Sequence, residues 1–165
     1  MRLTGQKLKK LIKEAYQQNA FINALYQNFA VKDITDKHMP VGYHRDYKAT
    51  KVFWPDCKVV LFFTQYSDGH IYISDLATLD RASSQVNPDC FRQGYARQVL
   101  QDFVGLADQF DIDMSLTAAS IHKERVPNSA LVKFYEEFGF GGGNPDSGWV
   151  EMIRDKKSDR LGSNL

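Results

Sequence analysis

The chain has 165 residues, 43% hydrophobic and 25% charged, a length and balance that fit one globular domain with its own core. Its 21 basic and 20 acidic side chains leave a formal charge of +1, so no overall field selects nucleic acid or an anionic membrane as partner, although a local patch stays open. Two cysteines, Cys57 and Cys90, with no CxxC and no zinc-type histidine spacing, argue against a metal site and read as two packing thiols of a reduced compartment.

The basic start MRLTGQKLKKLIKEAYQQ has neither the continuous apolar run nor the cleavage site of a signal peptide. No window reaches transmembrane length, so a cytoplasmic location without a membrane partner is expected. Thr4 can cap a helix in which Leu8, Leu11, Ile12, Ala15 and Tyr16 share one face, while Lys7, Lys9, Lys10 and Lys13 populate the rest. Those lysines read as a solvated face in preference to one lying on RNA or membrane. Phe21, Ile22, Leu25 and Phe29 predict a second helix after a break around Gln18 and Asn19, giving a hairpin or one bent helix. From Val31 to Asp56 the pattern is irregular, punctuated by Pro40, Gly42 and Pro55, and predicts a long substrate-side loop carrying a short strand.

KVVLFFTQYSDGHIYISDLATLD reads as a β-hairpin turning at Ser67-Asp68-Gly69. In its second strand Ile71 and Ile73 share a parity, but Asp75 takes the next such position and the apolar residue moves to Leu76. A β-bulge produces that phase slip by setting two residues against one. NPDCFRQGYARQVLQDFVGLADQF, residues 87–110, is a proline loop, a small-residue turn at Gly94 and Ala96, and one amphipathic helix. Glycine suits a positive φ or a close backbone approach, and the first N–H groups of the helix lack internal partners, so the turn has the outline of an anion site. DIDMSLTAAS then predicts a buried strand, NSALVKFYEEFGF a helix capped at Gly139, and GWVEMIRD a last strand, with a loop of Gly141 to Gly143 and Pro145 between them. The polar tail, 155–165, is expected to fray. The order predicts a single layered α/β (α+β) domain over 1–165. It comprises helices in 1–30 and a core in 58–154 whose mixed, mostly antiparallel sheet is flanked by helices.

Residues 71–154 resemble the GNAT superfamily of acyl-CoA-dependent N-acyltransferases. The resemblance rests on IYISDLATLD, NPDC, FRQGYA, RQVLQDFVGLADQF, IDMSLTAA and, most persuasively, NSALVKFYEEFGF, in that order. The family's turn, Arg/Gln-x-x-Gly-x-Gly/Ala, maps onto Phe91-Arg92-Gln93-Gly94-Tyr95-Ala96, departing at Phe91, where a polar side chain is usual. The resemblance implies pyrophosphate held by backbone N–H groups of Arg92, Gln93, Gly94, Tyr95, Ala96 and Arg97, with Arg92 able to restore a phosphate contact. It also implies a pantetheine arm bonded to strand backbone at Leu76 and Ala77, past the bulge, where this strand and the next should splay.

Tyr135 stands where many members carry the tyrosine that protonates the departing thiolate, and Asn128, an N-cap by position, stands where an asparagine lies beside the CoA arm. Asp75 is the candidate general base, with His44 and His122 as substitutes. The activity that the resemblance implies is acetyl transfer from acetyl-CoA to a primary amine of unspecified identity, without a metal, homodimerisation being left open. The alternative is a GNAT-shaped binding module in which Phe91 marks loss of productive CoA binding and the N-terminal helix engages protein or RNA.

Overall fold

The computed structural model describes residues 4–29, 31–34, 47–83, 85–120, 126–144, 146 and 148–162. In chain order the elements are α1 (Gly5–Asn28), β1 (Val31–Ile34), β2 (Tyr47–Phe53), β3 (Cys57–Gln65), β4 (Ile71–Asp80), a 3-10 turn (Pro88–Cys90), α2 (Tyr95–Gln109), β5 (Met114–Ala118), α3 (Asn128–Glu136), β6 (Val150–Arg154) and α4 (Lys157–Gly162). The six strands form one sheet in sequence order, antiparallel at every junction except β4–β5, where α2 makes the crossover. This is the mixed, mostly antiparallel sheet with flanking helices that the sequence predicts, and the elements from β4 to β6 follow the order the GNAT resemblance implies.

The core lies between the sheet and α1 with α2. Phe103 of α2 is its hub, its ring 5.2 Å from Phe63 of β3, 6.0 Å from Phe29 and 6.3 Å from Phe21 of α1. β5 and β6 alternate buried and open positions, with Met114, Leu116, Ala118, Val150 and Met152 turned inward. The third inward position of β6 is Arg154, only 2% exposed. It donates from Nε to the Phe138 carbonyl at 2.7 Å and pairs with Asp108 at 2.7 Å, tying the end of α2 to the turn that follows α3.

Four expectations need correction. The N-terminal segment is one helix of 24 residues without a break at Gln18 and Asn19, which excludes the hairpin of the two arrangements left open. Gln18 and Asn19 cost a helix only a few tenths of a kcal/mol, and Gln18 Nε2 is occupied by the Asp68 carbonyl at 2.6 Å. Residues 31–56 contain two strands, because β2 gains seven cross-strand partners on β3 and β1 adds to its far edge; Pro40 and Gly42 lie outside the described residues. The tail is not wholly frayed, since 157–162 form a short helix.

Finally, Cys57 and Cys90 are not separate packing thiols but a disulfide joining the start of β3 to the 3-10 turn. The reduced-compartment argument for a cytoplasmic location goes with them. Among the described residues, no helix is long and apolar enough to cross a membrane, and no cluster of metal-ligating side chains occurs. The crosslink spans a sequence separation of 33, so reducing it should release loop entropy in the unfolded chain and lower stability by about 2–4 kcal/mol. Melting with and without reductant checks this. A Cys90→Ser variant should melt low in both conditions, and an unchanged wild-type melt in full reductant would show that the bond carries no stability.

Candidate functional site

β4 and β5 pair in parallel over only three positions, from Ile71 with Met114 to Ile73 with Leu116, and then part. The cause lies on the other side of β4. Its register with β3 steps from Phe63 opposite Ile73 to Phe62 opposite Asp75, leaving Ser74 as the extra residue of a bulge, with its Oγ donating to the Phe62 carbonyl at 3.2 Å. A bulge bends and twists the strand that carries it. β4 thus keeps β3 as far as Cys57 opposite Asp80 while its β5-side edge is left without that partner, so backbone groups there can meet ligand amides. The splay expected from the phase slip is present.

The turn before α2 is built locally. Asn87 accepts from the Asp89 N–H, the Phe91 N–H donates to the Pro88 carbonyl, and the disulfide anchors Cys90 to β3. Arg92 and Gly94 both have positive φ, 60° and 79°, which swings the chain into α2 and leaves the leading N–H groups of the helix without intrahelical partners. A Cβ placed on Gly94 would meet no protein atom within 4 Å, so the space before the turn is open. Such a helix start favours an anion.

Turn, splayed strand and α3 enclose a cleft of ≈ 720 Å³. Leu76 and Thr78 of β4 form one wall, and Leu131, Phe134 and Tyr135 of α3 form another. Arg97 crosses between the helices, ion-paired with Glu137 and lying 5.4 Å from the Phe134 and 5.7 Å from the Phe138 ring centroid. Asn128 is not the N-cap, a position taken by Pro127. Its Oδ1 accepts from the Ser120 N–H at 2.9 Å and its Nδ2 donates to the Gly148 carbonyl at 2.9 Å, so the amide bridges the chain after β5 and the loop before β6.

Tyr135 is 7% exposed, and burial, reinforced by the nearby Asp75 carboxylate, pushes its phenol up to about 12. Asp75 is exposed, yet partial desolvation raises its carboxyl above the usual range. The Asp75 carboxylate disfavours the tyrosinate, so the phenol stays protonated at neutral pH.

Of the residues singled out from the sequence, Tyr135, Leu76, Arg92, Gly94, Tyr95, Ala96 and Arg97 line this one cleft. Asp75, Ala77, Gln93 and Asn128 are not among its lining residues, and Asp75 shares the parity of Ala77 on β4. Ala77 alternates away from Leu76 and Thr78, and Gln93 donates its side-chain amide to the Asp89 carbonyl. His44 and His122 lie outside the described residues. Sequence reasoning missed Thr78 and the apolar wall Leu131 and Phe134; the three-residue spacing of that pair, beside Tyr135, is the helical signal that could have found it. It also missed Trp54, which stacks on Tyr95 at 4.3 Å and braces the turn from the far side.

No protein-family model matches the chain, and no curated protein matches its sequence. Among solved structures it is similar to a Bacillus subtilis acetyltransferase in complex with CoA, at 12% identity and a TM-score of 0.42 over 67% of this chain and 76% of that one. It is also similar to Naa20 of Chaetomium thermophilum in complex with a bisubstrate analogue, at 15% identity and a TM-score of 0.41 over 98% and 88%. At those scores the overlaps add nothing to the strand order and cleft described above.

Proposed function

We propose that this protein transfers an acetyl group from acetyl-CoA to a primary amine by direct attack within a ternary complex. One observation carries the reading: a single cleft joins an unpartnered helix start at Gly94–Arg97 to a buried tyrosine beside the open edge of β4. The pyrophosphate would lie on the turn, with the pantetheine arm along β4 past the bulge and its thioester near Tyr135. The amine nitrogen bonds to the thioester carbon and loses a proton, through water, to Asp75. Collapse then breaks the carbon–sulfur bond, and the thiolate takes a hydrogen bond, and finally a proton, on the Tyr135 side. The test is release of free thiol from acetyl-CoA across a panel of amine acceptors, beside the melting temperature with and without acetyl-CoA. Stabilisation without thiol release from any amine would favour the binding module; neither effect would end the proposal.

Asp75 makes a pH prediction. A carboxylate accepts protons only when ionised, and its pKa is raised, so the base is lost as pH falls through a value above the ordinary 3.8. Asp75→Asn should lower kcat/KM roughly 10²-fold or more and remove that acid limb from the profile. An Asn variant with the wild-type rate and the same limb would take Asp75 out of the mechanism.

A further inference from the structure

α1 carries two apolar stripes. Phe21 and Leu25 are fully buried against the core, whereas Leu8, Leu11, Ile12, Tyr16 and Tyr26 are 49, 50, 61, 75 and 43% exposed. At the 3.6 residues per turn of an α-helix, those five fall within about 140° of arc, centred about a third of a turn from the core-facing pair. The exposed stripe is thus centred away from the buried one, with Ile22, which packs partly on the core, near their shared edge. Among the described residues, no other helix or strand carries more than one exposed large apolar side chain.

The same helix holds four lysines against one glutamate in a chain whose net charge is +1. All four lysines are exposed. By helical position Lys7 and Lys9 border the two edges of the stripe, where long stems can follow apolar surface while their ammonium groups reach outward. A second copy fits this face poorly: it would set the lysines against themselves. The strip, roughly 27 Å long and one helix wide, also falls short of the roughly 800 Å² per partner of a stable interface. An anionic bilayer fits on each count, with apolar side chains for the acyl boundary, tyrosines for the headgroup level and cations for lipid phosphates.

We propose that α1 docks this protein on an anionic membrane surface, lying in the interface plane on its Leu8–Tyr26 stripe. This surface is distinct from the cleft and does not depend on the proposed reaction. The test is sedimentation of the full chain with vesicles of phosphatidylcholine alone or mixed with phosphatidylserine. Pelleting should require phosphatidylserine and weaken as salt is raised, and Lys7→Gln and Lys9→Gln should each lower the partition coefficient roughly fivefold. Leu11→Glu combined with Ile12→Glu should abolish binding while leaving the circular dichroism and melting temperature unchanged, since neither side chain supports the core. Three results would overturn the proposal: no pelleting of the wild type with phosphatidylserine vesicles, pelleting indifferent to the double glutamate variant, or a solution dimer that this variant splits.

Discussion

Tyr135→Phe should leave the fold and the affinity for acetyl-CoA in place while lowering kcat by roughly 10²–10⁴-fold. The phenylalanine keeps the ring contacts with Phe134 at 5.2 Å and Phe140 at 6.0 Å and removes only the hydroxyl. Burial and Asp75 hold the phenol near 12, which keeps the donor loaded but makes it a weaker acid than a thiol of ordinary pKa, about 8.5. The expected contribution is therefore a hydrogen bond that strengthens as charge builds on sulfur, with net proton delivery completed as the product leaves. The Tyr-dependent rate should not fade below the ordinary phenol value of 10.0. Melting temperature and single-turnover rate on one sample decide the matter. A Phe variant with full activity withdraws Tyr135, and a changed melt with normal chemistry makes it a core aromatic.

Gly94→Val should abolish measurable acetyl-CoA binding. At φ 79° a β-branched residue is strained, at a cost of about 1–3 kcal/mol, and its side chain would stand in the space the pyrophosphate needs. Gly94→Ala carries most of the strain with less bulk and separates the two causes. Calorimetry on folded protein should rank the affinities wild type, Ala, Val; equal affinity in a folded Val variant would remove the phosphate-cradle reading.

The features legible in the sequence were local ones. The parity change from Ile73 to Asp75 and Leu76 marks the bulge, and through it the splay, because side-chain alternation is a property of one strand. Gly94 and Gly139 announce their turns because both need positive φ. The features that stayed hidden depend on partners distant in the chain. A change of apolar phase in α1 looks like a break in a helix, since sequence cannot say that two stripes of one helix face different surroundings. β1 has only four residues and exists by pairing with β2. Asn128 offers an N-cap by type, but its Oδ1, the atom a cap would use, accepts from the Ser120 N–H while its Nδ2 reaches the carbonyl of Gly148, 20 residues on. Arg154 sits at an inward position because Asp108 waits there, 46 residues earlier.

The Cys57–Cys90 crosslink also sets how the two sides of the cleft are held. With one end in β3 and the other in the 3-10 turn, it couples the floor of the cleft to the sheet, as the Trp54–Tyr95 stack does from β2's end. The opposite wall, α3, is latched to α2 at its C-terminal end by Arg97 and Glu137, whose side chains are 47 and 53% exposed, so that solvent screens the pair. One residue on, the buried Arg154 fixes the Phe138 carbonyl, and at the other end Asn128 bonds the Ser120 N–H and the Gly148 carbonyl, so α3 is tied at both ends. The turn side of the cleft is thus crosslinked covalently, whereas the α3 side is held by hydrogen bonds, an exposed ion pair and core packing. Reduction of the one covalent tie would therefore leave both sides of the cleft held by noncovalent contacts alone.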